Sequence, residues 1–262
     1  MRHKFDEADD PQLYRIRHSL AHVLAQAVLK LRPGSTLGFG PAIADGFYYD
    51  FILSEPLQEA DFPKLQKEMK RIIKQDQTFE YEDVPAVEAL AKIDAMNEPY
   101  KREYASELVS KGDLECLRFY TNGPFVDMCE GPHVARTREL PLGGFKLRSI
   151  AGAYWRGDER NVMMTRIYAW AFETKEDLEA HERAVKDALA RDHKKLGKEL
   201  DIFVIDDVIG KGLPLWLPNG TVLRDELEKL AKELEWRDGY ERVATPHLSR
   251  EALYYQTGHL PY

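Results

Sequence analysis

Two cysteines in 262 residues, Cys116 and Cys129, are too few for a disulfide-built secreted scaffold, so a reducing compartment is the default. No apolar run approaches the roughly 18 residues of a membrane helix, and Met1 to Glu7 hold no apolar core of signal-peptide length. The expectation is a soluble, cytoplasmic chain with no membrane partner. Glycine-rich phosphate loops, dinucleotide fingerprints and serine elbows are also missing. Gly38-Phe-Gly40-Pro41 and Gly143-Gly144 are bare enough to be turns, and no internal repeat or low-complexity tract occurs. Positive charge is in short supply, with 37 basic against 45 acidic residues and a net charge of −8, which argues against non-specific nucleic-acid binding. One stretch runs the other way. Between Arg136 and Arg166 stand seven Lys or Arg against three acids, a local surface that could take a polyanion.

What is present is ordinary for a folded chain: 44% apolar, 31% charged and 11% aromatic residues. Disorder, collagen and a coiled-coil rod are excluded, and the length allows one large domain or two smaller ones. Asp10 before Pro11 reads as an N-cap with proline at the first helical position, and Pro33-Gly34 closes the segment. A first helix is therefore expected over 11–31, with an apolar stripe of Ile16, Leu20, Val23, Leu24, Ala27 and Leu31 and with His18 and His22 opposite it. Residues 46–53 read as a strand, 61–76 as an amphipathic helix bearing Leu65, Met69 and Ile72 or Ile73, 79–84 as a strand, and 85–110 as helices broken near Pro99. From 115 to 172, short extended runs at 117–121, 124–128, 144–149 and 163–172 suggest an antiparallel sheet. Thr174-Lys-Glu-Asp177 resembles a capping box before one long charged helix ending at Gly197. Beyond it the pattern predicts a strand over 200–205, a loop over 212–220, a helix over 223–238 and a last strand over 240–245.

His18 and His22 are four apart on a helix, so their imidazoles project side by side and could share a water or a metal ion. Taken alone, the pair is equally consistent with two surface histidines. Asp127-Met-Cys129-Glu-Gly-Pro-His133 gathers a carboxylate, a thiol and an imidazole in a segment that Gly131-Pro132 keeps from being helical. With His18 and His22 it supplies three nitrogens and one sulfur, a zinc-type donor set. A packed cysteine with a backbone-bonded histidine is the bland alternative, and a nucleophilic Cys129 is a third.

Four motifs then align in order: Arg17-His-Ser-Leu-Ala-His22, Gly40-Pro-Ala-Ile-Ala-Asp-Gly-Phe-Tyr-Tyr-Asp50, Val126-Asp-Met-Cys-Glu-Gly-Pro-His133 and Ala151-Gly-Ala-Tyr-Trp-Arg-Gly-Asp158. Arg191-Asp-His-Lys-Lys-Leu-Gly-Lys-Glu-Leu-Asp201, Trp216-Leu-Pro-Asn-Gly220, Thr245-Pro246 and Thr257-Gly-His259 continue them. Together, from about residue 15 onward, they closely resemble the bacterial threonyl-tRNA synthetase family. The resemblance implies an α+β fold in which an antiparallel sheet with packed helices forms an editing domain over 15–172, after an N-terminal extension over 1–14. A linker helix over 173–199 follows, then the start of a class II aminoacylation domain, an antiparallel α/β fold, over 200–262. In the family this editing domain hydrolyses serine wrongly attached to threonine tRNA. Pro246 corresponds to the proline of the first class II motif, at a dimer interface.

The need for editing is physical: a missing methyl is worth only about 1–3 kcal/mol in a pocket, so a synthetic site admits serine, and a second, smaller site can reject threonine. By resemblance His18, His22, Lys101, Asp127, Cys129 and His133 are the catalytic set, with Tyr49 beside them. Lys146, Arg148 and Arg156 are candidates for receiving the end of threonine tRNA and its phosphates. The expected partners are that tRNA and its seryl and threonyl esters, with a homodimer in the complete enzyme. Zinc on His18, His22, Cys129 and His133 is an alternative that the related alanyl editing proteins suggest; four protein ligands would leave no open position for water, so a metal-free mechanism is expected. Two departures from the family stand out. Only about 14 residues precede the first motif, so the ubiquitin-like N-terminal domain common in the family is not expected here, and the remaining class II motifs are expected beyond Tyr262, together with ATP, magnesium and the threonine-selecting zinc. The chain alone is not expected to aminoacylate. A tRNA-docking module without turnover and a zinc-stabilised structural domain are the competing readings.

Overall fold

The computed structural model describes residues 10–112 and 115–260. Residues 1–9 of the expected N-terminal extension, and 261 and 262 of the expected second domain, lie outside the described residues. The chain forms two compact units, one running to Ala184 and one from Val185. Through the first run α1 (Pro11–Leu31), β1 (Thr36–Leu37), β2 (Ala42–Ile43), β3 (Gly46–Ile52), α2 (Phe62–Lys74), β4 (Phe79–Pro85), α3 (Ala86–Met96) and α4 (Pro99–Lys111). Then come β5 (Cys116–Asn122), β6 (Phe125–Met128), β7 (Phe145–Tyr154) and β8 (Met163–Ala171), and α5 (Lys175–Ala190) begins. The second unit continues with α6 (His193–Glu199), β9 (Phe203–Ile205), β10 (Pro214–Trp216), α7 (Pro218–Arg237) and α8 (Glu251–Gln256).

α1 starts where the sequence sets it. Asp10 accepts from the Leu13 N–H at 3.0 Å, and Pro11 occupies the first turn, where a missing N–H costs nothing. Its predicted stripe is buried except for the half-buried Leu31, but Arg17, Ser19, His22 and Gln26 are buried as well. The face opposite the stripe is therefore no solvent face, and a helix buried all round needs partners on both sides. On the stripe side stand Phe47, Tyr49 and Phe51, the alternate residues of β3, together with Leu65, Met69 and both Ile72 and Ile73 of α2. On the other side the histidines meet β6 and the loop after it.

The 115–172 region does not form one sheet, as the run of short strands suggests, but contributes to two. β5 and β6 form a hairpin turned at Gly123 and add to β4, with Tyr81 opposite Tyr120 and Tyr120 opposite Asp127. β7 and β8 join β3 in a five-stranded antiparallel sheet, with Tyr49 opposite Ile167 and Ile167 opposite Ile150. The irregular segment between them, broken by Gly131-Pro132 and by Pro141 to Gly144, separates the two pairings. α3 and α4 cover the outer face of the smaller sheet through Ala89, Ile93 and Ala105 against Leu117, Phe119 and Met128.

The long charged helix is two helices. Thr174 and Asp177 cap α5 as read, but Asp192 accepts from the Lys194 and Lys195 N–H groups at 2.9 and 3.2 Å and starts α6 afresh, so the helix does not run through to Gly197. The expected loop over 212–220 holds β10, paired with β9, and the first turn of α7 at Pro218. The last expected strand, over 240–245, is absent: Val243 is 83% exposed, and no strand among the described residues offers it a ladder. No helix among the described residues is long and apolar enough to cross a membrane.

Candidate functional site

Five elements, α1, β3, α4, β6 and the loop after β6, deliver one polar cluster, part of which lines a cavity. α1 brings His18 and His22 one turn apart, with ring centres 5.5 Å from each other. The loop after β6 brings His133, whose ring lies 4.3 Å from His18 and 4.2 Å from His22. Cys129 Sγ stands 3.1 Å from His18 Nε2 and 3.4 Å from His133 Nε2. The His133 ring is fixed from all sides. Ser19 Oγ accepts from the Val134 N–H at 3.1 Å and bonds His133 Nδ1 at 3.0 Å, Phe79 stacks on the ring at 4.9 Å, and Tyr120 meets it edge-on. Gly131 is required there, because its φ of 73° is left-handed and a β-carbon would run into the Tyr120 ring.

Lys101 comes from α4 and is 1% exposed. Its ammonium pairs with Asp127 Oδ1, lies 3.5 Å from the Met128 carbonyl, and sits over the Phe39 ring at 5.4 Å. Asp127 Oδ2 accepts from the Tyr49 hydroxyl at 2.6 Å and stands 3.6 Å from His22 Nε2. Tyr49 is itself braced by Gly40, where a β-carbon would overlap the tyrosine ring. The cavity that His18, His22, Lys101, Asp127 and Cys129 line measures about 610 Å³ and is walled by Phe39, Gly40 and Pro41 on one side and by Tyr104 and Leu108 of α4 on another. A second hollow of about 1260 Å³ lies along α7, lined by charged side chains such as Glu228 and Lys232 that pair with one another.

Burial sets the protonation of the cluster. Desolvation pulls His18 down to about 4, and Lys101 adds to the effect. His22 and His133 are likewise held well below the ordinary imidazole range, first by burial and then by their imidazole neighbours. All three rings are neutral at physiological pH and keep a lone pair free to accept a proton or bind a metal. Burial, reinforced by Asp127, pushes the Cys129 thiol up to about 12, which removes it as a nucleophile. Burial and then Asp127 also raise Tyr49, so its phenol stays protonated and donates.

The donor set suits zinc. His18, His22, Cys129 and His133 each place a ligand atom within 4.8 Å of the others. Ligand atoms on a tetrahedral zinc stand about 3.3–3.6 Å apart, and the Cys129 separations already lie near that range. Ser19 supplies the outer hydrogen bond that ligating histidines ordinarily have.

The predicted RNA-binding cations fare differently. None of Lys146, Arg148 and Arg156 lines the cavity. Lys146 pairs with Glu182, Arg148 with Asp45 at 3.3 Å, and Arg156 with Glu107 at 2.5 Å. The remaining basic residues of the 136–166 stretch also have acidic partners: Arg136 and Arg138 on Asp76, Arg160 on Asp158 and Arg166 on Asp50. The local positive excess read along the chain is thus offset in space by carboxylates, most of them from other segments. Arg156 comes nearest the cavity, because its neighbour Trp155 stacks on Phe39 at 5.2 Å. Sequence reasoning missed Ser19, Phe39 and Tyr120 as supports of the site. Ser19 carries the one usable signal, a hydroxyl inside the His18–His22 turn.

Residues 117–168 match the family model described as the threonyl and alanyl tRNA synthetase second additional domain. That span contains Asp127, Cys129 and His133; the partners His18, His22, Tyr49 and Lys101 come from outside it. The chain is similar to the threonine–tRNA ligase of Gloeobacter violaceus, 44% identical over 254 residues that cover 97% of this chain and 40% of the relative. Against the threonine–tRNA ligase of Synechococcus elongatus it is 46% identical over 253 residues, 96% of this chain and 41% of the other. The Deinococcus radiodurans ligase is 44% identical over 253 residues, 94% and 38% of the two chains. The chain spans about two fifths of the length of the curated relatives it matches.

Proposed function

The chain is related over nearly its whole length to bacterial threonine–tRNA ligases and carries their second additional domain, and from that premise we propose that its cavity hydrolyses seryl esters of threonine tRNA. The observation that carries this reading is the convergence of two neutral imidazoles, His18 and His22, with a buried Lys101–Asp127 pair in one cavity, with the His133 ring packed behind them. A neutral imidazole facing the cavity, from His18 or His22, takes a proton from water as the water oxygen attacks the ester carbonyl carbon. Negative charge then develops on the carbonyl oxygen, where the Lys101 ammonium is available to stabilise it. The bond from that carbon to the ribose oxygen breaks, the ribose oxygen takes up the proton, and serine and uncharged tRNA leave. Asp127, held by Tyr49, keeps Lys101 in position and offers a carboxylate to the substrate ammonium. Rejection of threonine follows if the pocket is closed to its extra methyl.

His18, His22, Cys129 and His133 would hold a zinc ion, which when bound supplies Lewis-acid polarisation of an oxygen ligand. With all four ligands engaged no position stays open for water or ester, so the route proposed here runs through the side chains alone. Of the three predicted cations, Arg156 is tied to the cavity wall through Trp155 and is the first candidate for the RNA backbone; Lys146 and Arg148 would act at longer range. ATP-dependent attachment of threonine and homodimerisation around Pro246 belong, on this reading, to the complete enzyme.

The test is deacylation of seryl- and threonyl-tRNA for threonine by the purified chain, with and without chelator, at matched RNA occupancy. Loss of the seryl ester alone, unchanged by chelation, is the expected result. Tight binding with neither ester cleaved would replace the hydrolase with a docking module.

A further inference from the structure

Glu98 is a buried carboxylate to which the hydrolytic scheme assigns no role. It stands at the N-cap of α4, directly before Pro99, where an acidic side chain ordinarily turns back toward the free N–H groups of its own helix. Here it makes no cap bond. It reaches across to the larger sheet, where Oε2 accepts from the Leu37 N–H at 2.7 Å.

That bond satisfies an edge. Gly38 donates to the Asp50 carbonyl at 2.7 Å, and Asp50 donates to the Phe39 carbonyl at 3.0 Å, so this part of the chain pairs with β3. N–H groups alternate in direction along a strand, and the Leu37 N–H therefore points away from β3. A buried donor without an acceptor bears its full desolvation cost, and Glu98 supplies the acceptor. The consequence reaches the cavity. Phe39, Gly40 and Pro41 form one wall, α4 with Lys101 and Tyr104 forms another, and Glu98 ties the two together from behind, outside the lining. The walls touch again where Phe39 meets Tyr104 edge-on at 4.9 Å and lies beneath the Lys101 ammonium.

We propose that Glu98 is a positioning residue whose carboxylate pins the 37–41 wall to the helix bearing Lys101, so that wall and lysine hold their places relative to Asp127. The role in catalysis rests on the hydrolytic reading above; the pin itself does not. The charged and titratable groups facing Glu98 are Lys101 on its own helix, Asp127 on β6 and Tyr49 on β3. Burial raises Glu98 to about 7, so it changes charge close to neutrality, whereas His18 titrates near 4. Protonated, Glu98 can still accept from Leu37 but no longer attracts Lys101.

Two variants separate shape from charge: Glu98→Gln keeps the acceptor and the volume, and Glu98→Ala removes both. Single-turnover serine release from seryl-tRNA is followed from about pH 5.5 to 9, beside hydrogen exchange at the 37–40 amides, which needs no activity. The wild-type rate should fall as pH drops through about 7, and Glu98→Gln should lose that inflection and run about tenfold slower at pH 8. In Glu98→Ala, exchange at Leu37 should quicken at least about tenfold while α2 stays protected. An inflection that survives Glu98→Gln, or unchanged exchange at Leu37 in Glu98→Ala, overturns the proposal. Faster exchange in a chain whose wild type releases no serine at any pH would leave the pin standing and remove the hydrolase.

Discussion

Tyr49 and Asp127 lie 78 residues apart and on different sheets, yet the buried phenol donates to Asp127 Oδ2 at 2.6 Å from outside the cavity lining. This bond joins the two halves of the site, because Asp127 also carries Lys101 and approaches His22. Tyr49→Phe keeps the ring and deletes only the donor. A hydrogen bond to a charged acceptor contributes about 1.5–3 kcal/mol, so seryl-ester hydrolysis should fall roughly ten- to hundredfold in kcat. KM should change little, whereas thermal stability should fall as well, because the buried Asp127 loses a donor in the free chain too. Unaltered turnover in the variant would mean that Asp127 is positioned by Lys101 alone.

Gly40 controls the same tyrosine from the other side. Its missing side chain is what lets the Tyr49 ring lie against the backbone, and a β-carbon there would overlap three ring atoms. Gly40→Ala should therefore cost about 1–3 kcal/mol of stability, as overpacking does, and lower activity by tilting Tyr49. Because both changes act through one ring, the Gly40→Ala, Tyr49→Phe double variant should lose less activity than the two single losses combined. Full additivity in that cycle would show that Gly40 acts elsewhere.

Much of this architecture could be read from local signals. The Asp10-Pro11 cap, the aromatic run of β3 and the α2 stripe depend on residues within a few positions of each other, and each element forms within about two residues of the bounds read. The His18–His22 pair and the Asp127 to His133 segment were legible as chemistry, and they do converge. Partners of strands were not legible, because a short extended run carries its pleat but not the identity of its neighbour; hence one expected sheet became two. Charge along the chain misled for a related reason. The excess at 136–166 is local in sequence, while Asp45, Asp50, Asp76 and Glu182 arrive only through the fold. Glu98 was visible only as a neighbour of Lys101, since nothing in its surroundings announces an acceptor turned away from its own helix.

Acid should loosen the fold through the buried imidazoles. His18 titrates at about 4 in the native state against an ordinary 6.5, so as pH falls the unfolded chain takes up the proton first. The stability held by the neutral ring is complete above pH 6.5 and is lost on descent toward 4, up to about 3 kcal/mol from this residue. His22 and His133 shift in the same direction. In chelator, the urea midpoint of the wild type should drop more between pH 7.5 and 5 than that of His18→Gln. Parallel drops would show that His18 is not neutralised by burial.

Added zinc provides the sharpest test of the role given to the imidazoles. The four ligand atoms are close enough to bind the ion, and binding would engage the same lone pairs that accept the proton of the attacking water. Excess zinc should therefore slow seryl-ester hydrolysis by the chelator-treated chain, and fresh chelator should restore the rate. Cys129→Ser, which replaces a thiolate ligand by a poor one, should weaken zinc binding measured by competition with a chromogenic chelator and should shift inhibition to higher zinc in parallel. His133 separates this account from indirect inhibition, since its ring belongs to the donor set but does not line the cavity. His133→Asn should relieve inhibition while retaining more activity than His18→Asn. A rate that rises when zinc is added to the chelated chain would transfer the activation of water from the imidazoles to the ion.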